Sequence, residues 1–528
     1  MSLTRTMKVA AIGGTLGVAA LAACTEPGMT PPPPFPTATP PTASPTASAT
    51  ASALPDSIEN KPGLSATKPF EPPAPEVVKL PNGMTVWLLE RHTLPLVAVS
   101  LSLPVGSAED PAGKEGLAHI TADMLDEGAG KRSAIDVSTA LQDLGVTLGT
   151  FATLDGTFFS LTVLKRNFAP AFGILADVVA RPRLDPKEWK RVSDLWKNSL
   201  LKRADDPEAV ARVVGQVASY GRNHPYGHPT SGFLSSAKTI DLDEVKAFYG
   251  AHYRPEKIVL SVVGDITKAE ISAAVDDAFG SWKPEAAAAS SLPAPPSGAS
   301  GARPALVLVD RPGAPQAVIS VVREGIRLQD PQAPLHDLLN TALGGGFTSR
   351  LNQNLREDHG WTYGAGSAFT ETKRGGAFLA RAAVETKHTG PALDEMLKEL
   401  RKMAASGPTA DELTKAKAQD HADLVQAYQS VGGIAGRYAT LSVLGLAADH
   451  DAAAVRTRQA ATLDALVKIA PSVDPAKGTI VVVGPQKEVG PVLAKLGEPV
   501  LWDPEGAPVS QAAPAKPATP TKPAKKTK

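Results

Sequence analysis

His119 and Asp123 stand four residues apart in the run Gly-Leu-Ala-His-Ile-Thr-Ala-Asp-Met-Leu, residues 116–125. On a helix that spacing puts both side chains on one face, where an imidazole and a carboxylate could share a metal ion. Glu127 follows on that face, but about 12 Å along the axis from His119 at ~1.5 Å per residue, so one ion cannot join all three. Two ligands without a third make a weak site, and a cleft-facing polar pair without metal is the better reading. Two more imidazoles occur in His224-Pro-Tyr-Gly-His-Pro229, where the prolines make a rigid loop and the reading is structural. A third cluster is Gly344-Gly-Gly-Phe-Thr-Ser-Arg350-Leu, followed by Arg356-Glu-Asp-His-Gly-Trp-Thr-Tyr363-Gly. Glycines ahead of a helix can cradle phosphate. This run lacks both the Gly-Lys-Ser/Thr ending of a P-loop and a Gly-x-Gly-x-x-Gly spacing, so phosphate binding is set aside.

The elements that must position these residues fall into two similar halves. In the first, residues 76–80, 84–91 and 97–104 read as short strands, the first two joined by a Pro81-Asn82-Gly83 turn suited to a tight hairpin. Ser133 caps a helix that carries Val137, Ala140, Leu141 and Leu144 on one face and ends at Gly145. Thr409-Ala-Asp-Glu412 is a capping box opening a long helix to about Tyr428. Internal repetition shows in two Pro-to-Gly intervals, 255–264 and 475–484, each a buried strand leaving a turn. Helices over 268–279 and 489–496 follow them, then Trp282 and Trp502. The strand ending at Gly106 matches the one ending at Gly325 at nearly the same offset. The expected fold is α+β: two homologous domains, each a mainly antiparallel sheet with helices packed on one face, not a doubly wound parallel sheet.

At 528 residues the chain is too long for one core. Its 54 basic and 54 acidic side chains cancel, so no global field points to nucleic acid. Arg5 and Lys8 precede a short apolar run, residues 9–20, too short to span a bilayer and read as a signal peptide over 1–23. Leu21-Ala22-Ala23-Cys24 resembles the lipobox of bacterial lipoproteins, in which the cysteine is acylated, and Thr25 favours the outer membrane by the same resemblance. Cys24 is the one cysteine, so the mature chain holds no internal disulfide. Residues 24–68, rich in Pro, Thr, Ala and Ser, read as a tether without a fold. Extended at ~3.1 Å per residue, it would reach about 140 Å from a membrane at most. The remaining boundaries are a first domain over 69–283, a linker over 284–303, a second domain over 304–503 and a basic tail over 504–528.

Leu80-Pro-Asn-Gly-Met84, His224-Pro-Tyr-Gly-His-Pro229, Val245-Lys-Ala-Phe-Tyr249, Tyr253-Arg-Pro255 and the glycine-rich cluster together resemble landmarks of the insulinase/pitrilysin (inverzincin) peptidases. The match is to the two-domain branch that includes the mitochondrial processing peptidases, and it covers residues 76 to about 501. That family's signature is His-x-x-Glu-His, with two zinc-binding His and a Glu as general base. Set against it, His119 holds the first ligand position, Ala122 replaces the base and Asp123 replaces the second His. The third ligand is a Glu shortly before an acidic-acidic-Pro stretch, and counting back from Asp205-Asp206-Pro207 reaches Ser199. The resemblance implies no metal or other cofactor in this chain, with zinc held by a partner.

Arg350 and Tyr363 match the positions from which the family's second domain reaches across a cleft to the substrate backbone and the oxyanion. An arginine's fork of donors and a phenolic hydroxyl suit that task. The alternative is that Arg350 pairs with a helix carboxylate such as Glu357 while Tyr363 only packs. The implied function is the non-catalytic, substrate-binding subunit of a heterodimeric zinc metallopeptidase, anchored in a bacterial envelope and acting on peptides or unfolded polypeptides. Two other classes fit the same family: a scaffold subunit, or a stand-alone peptide-binding lipoprotein without proteolysis.

Overall fold

Asn82 and Gly83 make the first turn. Gly83 takes φ +91°, the Asn82 side chain accepts from Met84 N at 3.1 Å, and strands β1 (Glu76–Lys79) and β2 (Thr85–Glu90) close as an antiparallel pair. The computed structural model describes residues 68–282, 303–370 and 372–509. The expected signal peptide, Cys24, almost all of the tether and the linker, and the tail beyond Val509 lie outside them.

The first half continues with β3 (Leu96–Leu103), a short hairpin of β4 (Gly128–Ala129) and β5 (Arg132–Ser133), then β6 (Gly149–Ala152), β7 (Thr157–Leu164) and β8 (Val259–Gly264). Its helices are α1 (Leu117–Leu125), α2 (Ala134–Asp143), α3 (Phe168–Ala180) and α4 (Pro186–Asp205), then α5 (Pro207–Tyr220), α6 (Leu234–Ala237), α7 (Leu242–His252) and α8 (Lys268–Phe279). The second half has β9 (Leu306–Asp310), β10 (Gln316–Glu324), β11 (Thr362–Phe369), β12 (Ala377–Glu385), β13 (Thr479–Gly484) and β14 (Val500–Leu501). Its helices are α9 (Ala333–Asn340), α10 (Arg350–Asn352), α11 (Thr389–Ser406) and α12 (Ala410–Ala427), then α13 (Val431–Val443), α14 (His450–Ala460), α15 (Leu463–Ile469) and α16 (Gln486–Leu493).

Sheet order is β1-β2-β8-β3-β7-β6 in the first half and β14-β9-β13-β10-β12-β11 in the second. Over the five inner and far-edge positions these are the same sheet, with the parallel pairs β2–β8 and β9–β13 in equivalent places and antiparallel pairing from there to β6 and β11. Only the outer strand differs: β1 joins β2 by a hairpin, whereas β14 comes from the C-terminal end and runs parallel to β9. The expected α+β duplication is the architecture found.

Each sheet buries one face under its own helices. The other face is covered by a helix from the opposite half. Val210, Val214 and Val217 of α5 pack on β9, β10 and β13, and Ile434, Ala435, Tyr438 and Leu441 of α13 pack on Trp87, Ala98 and Val263 of the first sheet. The described residues from Pro69 to Val509 therefore pack as one compact unit. The chain ends reinforce the exchange. Pro73 O accepts from Tyr438 on α13 at 2.6 Å, while Glu505 accepts from Leu234 N and from Ser235 Oγ in the first half. Residues 504–509 are thus built into the fold, which corrects the expected start of the tail at 504. The helix expected over 489–496 runs instead from Gln486 to Leu493, with Pro491 inside it and Val489 and Leu493 buried.

Candidate functional site

Helix α1 begins where a side chain cannot fit. Gly116 takes φ +100°, and a Cβ there would stand 2.7 Å from the Trp196 ring and 2.9 Å from Ser231 O. The buried Asp110 carboxylate accepts from Gly116 N and Ala118 N, both at 2.7 Å, and so caps the helix. Leu117, Ala118, Ile120, Thr121, Ala122, Met124 and Leu125 are buried, which leaves His119 and Asp123 as the half-open polar pair. Their Nε2 and Oδ2 atoms are 3.5 Å apart, an ion pair when the imidazole is charged. Burial raises the Asp123 carboxyl above its ordinary range, with His119 opposing the shift.

These residues do not fit a catalytic zinc, which takes three protein ligands and an open position. His119 and Asp123 face each other, Ala122 offers no donor, and Ser199 on α4 donates its hydroxyl to Trp196 O at 2.7 Å. Among the described residues no group of three His, Cys, Asp or Glu is placed to hold a metal ion. Glu127 does not share the α1 face, because the helix ends at Leu125; its carboxylate is taken by Arg191. The His224–Pro229 loop is a joint between halves. The Tyr226 hydroxyl donates to Asp155 at 2.5 Å and accepts from Arg374 N at 2.8 Å, while Asp155 also accepts from Lys373 N at 2.8 Å.

The second cluster is built on irregular backbone. Residues Thr341–Gly345 form a π turn continuing α9, and Gln353–Asp358 form another. Such turns concentrate at functional sites. Gly344 lies against β11, where a Cβ would sit 2.4 Å from Ser367 N; the glycine run serves close packing, not phosphate. In β11 the register shifts between Thr362 and Ala365, so Tyr363 and Gly364 together oppose Ala383 of β12. A bulge of this kind re-aims side chains. Here it leaves Tyr363 92 % exposed.

Arg350 is placed differently from the expectation. Its Nε and Nη2 bind the two Glu412 carboxylate oxygens at 2.6 and 2.7 Å, and Nη2 also donates to Gly407 O at 3.0 Å. The side chain is only 10 % exposed. It braces α10 against the capping box that starts α12, in which Glu412 also accepts from Thr409 N at 2.7 Å. Burial opposes ionisation of Glu412, but Arg350 and Thr409 outweigh it and hold the carboxyl below its usual range. Nε and Nη2 are thus committed, while Nη1 is buried without a hydrogen-bond partner. The carboxylate is Glu412, not Glu357, which pairs at 3.3 Å with Arg356.

Arg356 is the residue that sequence reasoning passed over. It is 39 % exposed, and its guanidinium lies 4.8 Å above the ring of Phe347, itself largely exposed. Its spacing of seven residues before Tyr363, within one motif, was the available signal. Phe347 and Arg356 thus present an aromatic and guanidinium face able to bind carbonyls or negative charge, and Tyr363 stands exposed on β11, the strand that follows. No hydrogen bond or ion pair among the described residues joins this surface to His119 and Asp123.

A model described as insulinase (peptidase family M16) matches residues 85–224, and one described as peptidase M16 inactive domain matches residues 239–419. An uncharacterized zinc protease of Mycobacterium leprae is 29 % identical over 338 residues, covering 64 % of this chain and 75 % of that protein. An uncharacterized zinc protease of Bacillus subtilis is 24 % identical over 351 residues, 66 % of this chain and 83 % of its own. Among solved structures, a peptidase M16 inactive domain from Pseudomonas fluorescens superposes with a TM-score of 0.71 at 24 % identity, covering 78 % of this chain and 98 % of that one. A protease from Helicobacter pylori superposes at 0.70 with 21 % identity, covering 78 % and 99 %.

Proposed function

Because the chain belongs to the insulinase (M16) peptidase family, we propose that it is the non-catalytic, substrate-binding subunit of a two-chain zinc peptidase. The carrying observation is a contrast within the chain. The polar atoms at the zinc-helix positions are paired or missing, whereas a β-bulge holds Tyr363 in the open beside a motif that also exposes Arg356 and Phe347.

In this reading zinc and the general base belong to a partner with an intact His-x-x-Glu-His helix. Tyr363 and Arg356 supply donors to the substrate carbonyl and to the negative charge that develops on it. Arg350 is a positioning residue, fixing the segment that carries them. The substrate class is peptide or unfolded polypeptide. Acylation at Cys24 anchors the assembly in a bacterial envelope, on the periplasmic side of the outer membrane.

Detergent-solubilised membranes should yield this chain together with a second M16 chain, identified by mass spectrometry and carrying the complete motif. The mixed subunits should then hydrolyse a quenched fluorescent peptide in a chelator-sensitive manner. Stoichiometric zinc and proteolysis in this chain alone would sink the proposal.

A further inference from the structure

A cavity of about 230 Å³ lies where α5 crosses β10 and β12, between the two halves. Ala211, Gly215, Val318, Val322 and Leu379 give it an apolar wall. Glu208, Arg212 and Arg381 stand at its rim, the carboxylate 3.7 Å from Arg212 and 3.5 Å from Arg381. Two guanidinium groups share one carboxylate, which leaves a surplus positive charge at the mouth. Both pairs are long and about half exposed, so an incoming anion can exchange for Glu208 at little loss.

Most polar groups of the wall are already committed. Ser219 donates to Gly215 O at 2.8 Å, the Gln216 amide donates to Tyr226 O and His228 O at 3.0 and 2.6 Å, and Tyr220 shares a 3.3 Å bond with Thr370. A peptide main chain entering here would leave its N–H and C=O groups unpaired, which is strongly unfavourable. A hydrocarbon tail has no such groups. An apolar void of ~150 Å³ suffices for benzene, so this one accepts a longer chain. The corresponding place in the first half, under α13 on β3 and β7, is lined instead by Ser100, Thr147, Ser160 and Thr162 and has no charged residue in its lining.

We infer that the cavity binds an aliphatic carboxylate of medium chain length, its tail among the valines and its head between Arg212 and Arg381. Nothing in this inference depends on the peptidase reading. The purified full chain is titrated with decanoate, 1-decanol and an acetylated tripeptide ending in leucine, each displacing a dansylated undecanoic acid. Decanoate should bind saturably at one site per chain. Leu379→Trp, which fills the void, should abolish that binding, with Val322→Phe as the second variant if the first does not fold. The pair Arg212→Gln and Arg381→Gln should weaken decanoate about tenfold, the effect of losing a charge-assisted hydrogen bond, and leave decanol unchanged. Absence of saturable decanoate binding, indifference to both sets of changes, or tighter binding of the tripeptide would overturn the inference.

Discussion

Helix α1 and the segment over residues 333–363 occupy equivalent places in the two halves, each leading from the inner strand, β3 or β10, to the edge strand, β6 or β11. They have gone opposite ways. The first keeps every device that makes it a helix: the Gly116 turn, the Asp110 cap and a buried apolar face. What its described residues do not supply is the donor set of a catalytic zinc, and ligand positions on a half-open face contribute little to the fold and can change without loss of stability. The second carries two π turns, a bulge and a tyrosine 92 % exposed. Irregular backbone persists where the surroundings over-determine it and where function uses it.

The largest effect expected from this difference is on turnover of the reconstituted pair. Losing one preorganised oxyanion donor typically lowers turnover by ~10²–10³. Tyr363→Phe and Arg356→Ala should each do so with folding and subunit association unchanged, as checked by circular dichroism and co-elution. Equal activity of both variants and the parent would remove the second half's claim to chemistry.

The two arginines of that motif should separate by stability. Arg350→Ala strands the partly buried Glu412 carboxylate, and breaking such a pair from one side is worth about 3 kcal/mol. Arg356→Ala, on an exposed face, should stay within ~0.5 kcal/mol. Urea midpoints measure both. Glu412 titrates below its ordinary range in the folded chain, so the stability it confers is present above an unfolded pKa of about 4.3 and lost as pH falls through the folded value. Glu412→Gln should therefore flatten the acid limb of the stability profile.

On the other side of the comparison, the cap of α1 should matter more than its polar pair. Asp110→Ala leaves Gly116 N and Ala118 N buried without acceptors. At ~1–3 kcal/mol for each of the two stranded groups, a loss of roughly 2–6 kcal/mol is expected in the same urea assay. A loss under ~0.5 kcal/mol would mean that α1 is held by its apolar face alone.

Much of this was legible in the chain. The Pro-to-Gly strand intervals, the Thr409 capping box and the 268–279 helix fell where local rules put them, because turn and cap chemistry acts within four residues. The exchange of α5 and α13 between halves is long-range, and its trace is a helix apolar around much of its surface, Val210, Val213, Val214 and Val217, as a helix between two layers must be. The α16 start was misplaced because packing of Val489 and Leu493 tolerates Pro491 inside the helix. In the site, the Glu412 partner of Arg350 was not readable from the sequence. An arginine's role is set by which carboxylate reaches it, and Glu412 lies 62 residues away in sequence.

The smallest expected effect is the sharpest test of α1. If His119 and Asp123 are only a residual pair, the carboxylate is a mild liability. Burial raises its pKa above the unfolded value, so the protonated form is favoured by folding, and that contribution is lost as pH rises through the folded pKa. The half-exposed 3.5 Å pair with His119 returns roughly 0.2–1 kcal/mol. Burial outweighs the pair, because the carboxyl stays raised with His119 beside it. Asp123→Asn should accordingly stabilise the fold at pH 7, by less than ~1 kcal/mol, with the gap closing towards pH 4. His119→Ala should likewise leave the activity of the reconstituted pair almost unchanged. A destabilisation above ~2 kcal/mol on replacing Asp123, or zinc uptake that depends on either residue, would mean that α1 still carries a site and that the two halves have not diverged as described.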